Sequence, residues 1–372
     1  MKYLIVGCGL SGAVLAERIA SQLNCKVTII EKRDHIGGNC YDYIDDETGI
    51  LMNKYGAHLF HTNNQTVWDY INKFDKWVRW EHKVLSYVDD KFVTIPVNIT
   101  TINELCNQHL MNSRDVDNWL ASNQVKYDVI SNSEEMAKSR IGVELYDKLI
   151  KDYTFKQWNK YPEELDKSVL ERIPIRNNFD TRYFTDKYQA LPHKGYTHFF
   201  NKLLNNMNIE IKLNTCYFEH IKENNNYDVI IFTGPIDSYF NDLEKLEYRS
   251  IDFNIVRIKN MNYYQPNSVV NYPSIIFPYT RIVEYKHFLN QKSKDTVIVT
   301  EKTSDIGEPY YPVPNKRNLE LYEKYKILAK EEEKKNIYFI GRLANYKYFN
   351  MDEAIANSLE FFENIIQQKL KN

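Results

Sequence analysis

The sequence predicts an α/β fold: a discontinuous Rossmann-like nucleotide-binding domain combined with a helical domain and an antiparallel-sheet domain. Three observations carry that prediction. The first forty residues run strand, glycine loop, helix, strand. Two later apolar strands end in glycine turns and read as returns to the same sheet. Between these visits lie a polar block patterned for helices and a set of strand candidates bounded by turn residues.

The chain opens KYLIVGCGLSGAVLAERIA. Lys2 to Val6 suits a buried strand, Gly7, Gly9 and Gly12 complete G-x-G-x-x-G, and Ala13 to Ala20 has helix composition. The first glycine makes the tight turn, the second lets the backbone approach a pyrophosphate, and the third lets helix pack on strand. Ser11 lies at the helix start, where free N–H groups and a partial positive charge face phosphates. Val27 to Ile30 is the second strand, and Glu31 ends it where a carboxylate can bind ribose hydroxyls. A lone glycine fingerprint is weak; this one sits between strand and helix with its acid in place. KRDHIGGN then sets Gly37 and Gly38 just beyond the acid, with Lys32 and Asn39 flanking. That arrangement resembles the two-dinucleotide-binding flavoproteins, whose FAD lies extended across the sheet. Taken alone, the glycine pair also fits an ordinary turn.

Leu85 to Pro96 alternates around Asp89-Asp90 and predicts a hairpin. From Thr101 to Glu171 the chain is polar and helix-patterned, with SEEMAKSRIGVELYDKLIKDY apolar at helical spacing. YDVIIFTGPID (227–237) and NIYFIGRLANY (336–346) are the returning strands, and Ala354 to Lys369 the closing helix. Ile251 to Lys259, Ser268 to Tyr272 and Thr296 to Thr300 are strands of a mixed or antiparallel sheet. The expected division is 1–82, 195–241 and 316–372 for the cofactor domain and 99–172 for the helices. The sheet domain takes 83–98, 173–194 and 242–315.

Composition narrows the function. The 372 residues can bury more than one core. A net charge of −2, from 48 basic and 50 acidic residues, gives no argument for nucleic acid or an anionic membrane. Five scattered cysteines without a C-x-x-C pair suit a reducing compartment and argue against a disulfide framework or zinc site. The first strand begins at once, leaving no room for a signal peptide, and no run approaches the ~20 apolar residues of a membrane span. The expectation is a soluble cytoplasmic protein. Its 29 tyrosines suit sugar and phosphate recognition, and equally suit packing.

Eight further segments then occur in order: NKYGAHLFHT (53–62), YTFKQWNKYPEEL (153–165), ERIPIRNNFDTRYFTDKYQ (171–189), TGPID (233–237), LEYRS (246–250), PYTRIVEYKHF (278–288), GEPYYPV (307–313) and GRLANYKY (341–348). Together they resemble, from the first strand to the last helix, the bacterial FAD-dependent UDP-galactopyranose mutases. The resemblance implies interconversion of UDP-galactopyranose and UDP-galactofuranose, supplying activated galactofuranose for surface glycoconjugates. Reduced FAD N5 would attack the anomeric carbon and displace UDP, and a flavin-iminium ring contraction would follow with no net redox change. Covalent catalysis of this kind splits one hard isomerisation into easier steps. An external reductant such as NAD(P)H would prime the flavin, since no second fingerprint is apparent. A homodimer is expected only by the resemblance.

Residue by residue, the resemblance assigns Arg172 and Arg281 to the departing diphosphate, whose growing charge suits guanidinium forks. Arg172 would lie in a mobile loop that closes over the substrate. Tyr153 and Trp158 match aromatics near the uridine; Tyr183, Tyr311 and Tyr348 match hydroxyl donors to the diphosphate, with Tyr310 and Tyr346 as alternatives if the register slips. Asn271 matches a uridine-side or phosphate-side amide. The alternative for each of these aromatics is a core position, and for each arginine a surface ion pair. His58 resembles the histidine beside the flavin ring, and Arg342 and Met351 join the cofactor contacts. His61 reads as a pocket residue. Two histidines three apart could hint at a metal, but no third ligand is apparent.

Two departures stand out. Tyr348-Phe349-Asn350 replaces the family's frequent Tyr-x-Asp, giving a neutral amide where a carboxylate is usual. VTEKTSD, with Glu301 followed by Lys302, suggests a displaced acid and a shortened loop. Two rival classes share the N-terminal clamp. A flavin oxidoreductase of amine-oxidase-like architecture would show an aromatic cage rather than diphosphate-binding arginines. An escort protein of lipidated GTPases would show an apolar groove and need no flavin.

Overall fold

Strand β1 (Lys2–Val6) is apolar at its centre because both of its faces are covered. Helix α1 (Leu10–Gln22) returns over it, and β2 (Lys26–Ile30) pairs parallel beside it, Tyr3 opposite Val27 and Val6 opposite Ile30. The third glycine of the fingerprint is a packing requirement: a Cβ on Gly12 would lie 2.0 Å from the Gly7 carbonyl oxygen. The computed structural model describes residues 1–171, 174–240 and 243–367.

The parallel sheet has five strands, in the order Ile209–Lys212, β2, β1, Val229–Phe232, Ile337–Phe339. The two returning strands of the sequence reading occupy its second half. Ile209–Lys212, an edge strand of four residues, was not foreseen. The closing helix starts at Met351 and runs to Phe361 before a π-turn to Ile366, packing on α1.

The second sheet has seven strands in the order Tyr311–Pro312, Tyr248–Ile258, Thr296–Ser304, Arg281–Glu284, Val269–Asn271, Val84–Val88, Lys91–Ile95. The last two are the foreseen hairpin, turning through Asp89 and Asp90 at φ +50° and +60°. Its neighbours are antiparallel except Val269–Asn271, which joins Val84–Val88 in parallel. One grouping needs correction. Tyr188–Pro192, placed with the antiparallel sheet by sequence, pairs instead with Phe60–Thr62 and Trp77–Arg79 in a separate three-stranded sheet. Its buried Leu191 there joins the core that holds Phe60 and Trp77.

The helical block packs on the hairpin through Val88, Val93, Ile102, Val116, Ile141 and Leu149. Its long foreseen helix is interrupted. Gly142 leaves helical geometry at φ +77°, and a Cβ there would come within 2.7 Å of the Asn123 carbonyl. A π-turn over Tyr146–Lys151 then delivers the short helix Asp152–Trp158. Such turns re-aim a helix, and this one carries Tyr153 toward the seven-stranded sheet. Among the described residues, no helix is long and apolar enough to cross a membrane.

Candidate functional site

A cavity of about 450 Å³ runs along the carboxyl ends of β1 and β2. The foreseen cofactor residues Gly7, Gly9, Ser11, Glu31, Lys32, Gly38, Asn39, His58, Arg342 and Met351 all line it; Gly12 does not, and acts through packing. Gly37 and Gly38 do form a turn, at φ +92° and +55°, and that turn folds back on the first glycine loop. Gly37 N–H donates to the Cys8 carbonyl at 2.9 Å, and a Cβ on Gly38 would sit 2.8 Å from the Gly9 Cα. Two glycine loops in contact leave bare backbone facing the cavity.

Glu31 is buried, and its carboxylate accepts from Cys8 N–H at 2.8 Å and Arg33 N–H at 3.0 Å. Both oxygens retain a lone pair for a further donor. The Cys8 thiol beside it is pushed up to about 12 by burial and by the Glu31 charge, so it stays a neutral thiol. Sequence reasoning missed several lining residues. Thr233 and Pro235 stand on the opposite wall, Thr215 to Phe218 border the cavity, and Glu308 crosses it, pairing with Lys32 at 2.8 Å and Arg33 at 3.4 Å. TGPID, through its Gly-Pro turn, and GEPYYPV, through the family resemblance, had flagged two of these segments, but neither Thr233 nor Glu308 was drawn from them.

At the far end of the cavity stands His58. Its Nδ1 lies 2.8 Å from the Gly56 carbonyl, which can only accept, so Nδ1 carries the proton. Burial, aided by Arg342 and Arg281, lowers its pKa to about 4. The ring is therefore neutral near pH 7, and Nε2, which has no hydrogen-bond partner among the described residues, is its acceptor. Arg342 donates through Nε and Nη2 to the Phe349 carbonyl and stands 5.8 Å from the Tyr311 ring and 5.3 Å from the Tyr348 ring. It thus links this cavity to a second cluster.

That cluster is centred on Arg281. Its Nε donates to Glu301 at 2.6 Å, and among the described residues its two terminal nitrogens have no hydrogen-bond partner. Burial opposes the Arg281 charge but is outweighed by Glu301, with Tyr153 and Tyr311 contributing, so the guanidinium is held more firmly cationic than usual. Tyr153 is pushed up to about 12 by burial against the pull of Arg281; burial also raises Tyr183 and Tyr311. Tyrosines so raised remain hydroxyl donors at neutral pH. Tyr311 and Tyr348 stack at 5.4 Å. Tyr346 is instead a core residue bonded to the Glu247 carbonyl, and Tyr310 is buried beside Phe253 and Tyr55. Asn271 lies opposite Arg281 in the sheet, and Arg281 opposite Glu301. The acid expected to be displaced therefore stands within its strand, paired to the arginine.

Two sequence candidates have other surroundings. Trp158 lines a separate cavity of about 310 Å³ with Asn132, Lys160 and Pro314, away from the Arg281 cluster. His61 bonds Asp186 at 3.0 Å and stacks on Phe184 at 3.7 Å. Arg172 lies outside the described residues. Asn350, at the start of the closing helix, lines the cofactor cavity and gives its N–H to Glu353 at 2.7 Å. Among the described residues no group of three potential metal ligands occurs.

The model of the UDP-galactopyranose mutase family matches residues 148–348, and that of an NAD(P)-binding Rossmann-like domain residues 5–74. A probable UDP-galactopyranose mutase of Klebsiella pneumoniae is 37% identical over 98% of this chain and 96% of its own length. A dTDP-fucopyranose mutase of Escherichia coli is also 37% identical, over 96% and 97%. The UDP-galactopyranose mutase of Mycoplasma genitalium is 36% identical, over 96% and 93%. Among solved structures, a reduced UDP-galactopyranose mutase superposes with a TM-score of 0.77 at 16% identity, covering 99% of this chain and 96% of that one. A putative protoporphyrinogen oxidase from Exiguobacterium follows at 0.65 and 14%, covering 99% of each, a likeness of fold alone. On sequence match across nearly its whole length, the chain belongs to the UDP-galactopyranose mutase family.

Proposed function

We propose that this protein is a flavin-dependent mutase that interconverts UDP-galactopyranose and UDP-galactofuranose. The observation that carries the reading is the adjacency of two sites: a dinucleotide cavity ending at neutral His58, and a cationic Arg281 ringed by tyrosine hydroxyls. An extended FAD suits the first. The cavity reaches from a buried carboxylate with spare lone pairs, past two bare glycine loops, to His58 and Arg342. When bound and reduced, FAD supplies the nucleophile for a ring contraction without net oxidation.

The protein's own groups do the rest by binding and electrostatics. Glu31 would hold the ribose hydroxyls, and the α1 N-terminus with Ser11 would face the pyrophosphate. Gly38, Asn39, Lys32 and Met351 would wall the cofactor. The free terminal nitrogens of Arg281 would take the diphosphate of the nucleotide sugar, with Tyr183, Tyr311 and Tyr348 donating hydroxyls. Because Glu301 already fixes the Nε edge, the fork is oriented before substrate arrives, which lowers reorganisation as charge develops on the leaving group. Tyr153 and Asn271 would hold the nucleotide side. Arg172 would supply the second cation. His58 Nε2, as a neutral acceptor, would steady a donor near the reacting atoms without adding positive charge.

The dTDP-fucopyranose mutase relative raises a second substrate pair, which differs in the base and lacks the sugar 6-hydroxyl. The test offers both. Purified protein is incubated anaerobically with UDP-galactofuranose or with dTDP-fucofuranose, with and without dithionite, and the nucleotide sugars are separated by chromatography. Conversion of the UDP sugar only after reduction, with no net flavin oxidation, is the expected result. Conversion of the dTDP sugar alone would move the assignment to the deoxy sugar. Net oxidation of substrate would favour the oxidoreductase reading, and absence of bound FAD would end the proposal.

A further inference from the structure

Lys156 follows Tyr153 by one helical turn on the Asp152–Trp158 helix. The three N–H donors of its Nζ are shared among four backbone carbonyls, those of Tyr272, Ser274 at 2.8 Å, Phe277 at 3.2 Å and Tyr279 at 2.9 Å. All four belong to one loop, residues 272–280, whose neck is closed by Tyr272 N–H donating to Thr280 O at 2.8 Å. The residues on either side of that neck are Asn271 and Arg281. Four carbonyl dipoles aimed at one point repel each other unless a cation stands among them, and the ammonium is that cation. The helix is fastened from below as well. Thr303 hydroxyl donates to the Lys156 carbonyl, and Arg249 Nε to the Gln157 carbonyl at 3.1 Å.

We propose that Lys156 is a positioning residue: its ammonium locks the helix bearing Tyr153 onto the loop bearing Asn271 and Arg281, and so sets the substrate side of the site. The inference rests on the reading of those three residues as nucleotide-sugar contacts. Lys156 does not line the cofactor cavity, so FAD retention is independent of it. Burial lowers its pKa to about 8, with Asp152 on its own helix acting the other way. Around it, Tyr272 and Tyr279 are phenols raised by burial, and Arg249 and Asp305 are paired with each other. The proton that makes the lock is therefore lost at moderately alkaline pH.

The test is calorimetric titration of UDP into the FAD-loaded protein and its Lys156→Met and Lys156→Arg variants, from about pH 7 to about pH 9. Wild-type affinity should fall across that range by about tenfold, the scale of one charge-assisted hydrogen bond. Lys156→Met should bind UDP about tenfold more weakly at pH 7 with a flat pH profile and unchanged FAD content; Lys156→Arg, which keeps its charge, should recover part of the affinity without the alkaline fall. Wild-type affinity in Lys156→Met, or the same alkaline fall in both, would overturn the proposal. Should Lys156→Met fail to fold, a flat wild-type profile would overturn it equally. A wild-type protein that holds FAD but binds no UDP would instead overturn the reading of the site beneath it.

Discussion

Glu31→Gln is the substitution whose consequences the geometry fixes most closely. The carboxylate has two oxygens, and each already accepts a backbone N–H, from Cys8 at 2.8 Å and Arg33 at 3.0 Å. A glutamine keeps one acceptor and turns an NH₂ group toward the other N–H. One buried donor is left unpaired, at about 1–3 kcal/mol, and this loss falls on the protein with or without its cofactor. A second loss appears only with cofactor bound. A ribose hydroxyl given to a carboxylate is worth about 1.5–3 kcal/mol, so FAD should bind about 10- to 150-fold more weakly. The two losses separate experimentally. Urea unfolding of the apoprotein reads the first, and recovery of FAD fluorescence quenching on reconstitution reads the second. A variant that unfolds earlier but binds FAD within about threefold of wild type would refute the ribose contact, leaving Glu31 as a loop-bracing acid.

Three further outcomes follow from the same geometry. Gly12→Ala places a methyl 2.0 Å from the Gly7 carbonyl, a backbone atom that cannot swing away. Purified protein should carry little FAD by absorbance and lose stability by about 1–3 kcal/mol or more in thermal melts. Glu308→Gln removes the ion pairs across the cavity mouth; because these are exposed, FAD release should quicken only about two- to fivefold, and the difference should vanish in high salt. Burial lowers the pKa of His58 to about 4 and that of His82 to about 3, both below the unfolded value of about 6.5. The unfolded chain then binds more protons, so their contribution is complete above that value and is lost as pH falls through it, at up to about 1.4 kcal/mol per pH unit for each histidine. His82→Asn should flatten the acid side of the urea-stability profile, and an unchanged slope would refute the assignment.

What the sequence disclosed follows from which interactions are local. The β1–α1–β2 unit was legible because the glycine spacing, the strand ends and Glu31 lie within thirty-one residues and answer to one steric problem. The hairpin at Asp89-Asp90 was legible for the same reason. The Ile209–Lys212 strand was not, because an edge strand of four residues, three half-buried and Glu210 exposed, is too brief to stand out. Tyr188–Pro192 was misgrouped because strand partnership is a long-range choice: its partners begin at Phe60 and Trp77, over a hundred residues earlier. Trp158 shares a motif with Tyr153, yet five residues along a helix turn a side chain well away from the first.

The Arg281 cluster shows the sharper limit. Asn271, Arg281 and Glu301 stand opposite one another on adjacent strands, so all three point to one face of the sheet. Their chemistry exists only at that register. A slip of one residue would turn Arg281 to the other face and present Ile282, which is buried in the packing of Val270 and Ile298. The apolar residues that alternate with the row therefore fix the charged ones: Val270 pairs with Ile282, and Ile298 packs in the same cluster. Glu301 alone reads as a misplaced acid, since its partner is twenty residues away and its meaning is a cross-strand one. Once the register is set, a buried carboxylate beside a guanidinium becomes the device that keeps Arg281 charged and aimed, with two nitrogens left for a ligand.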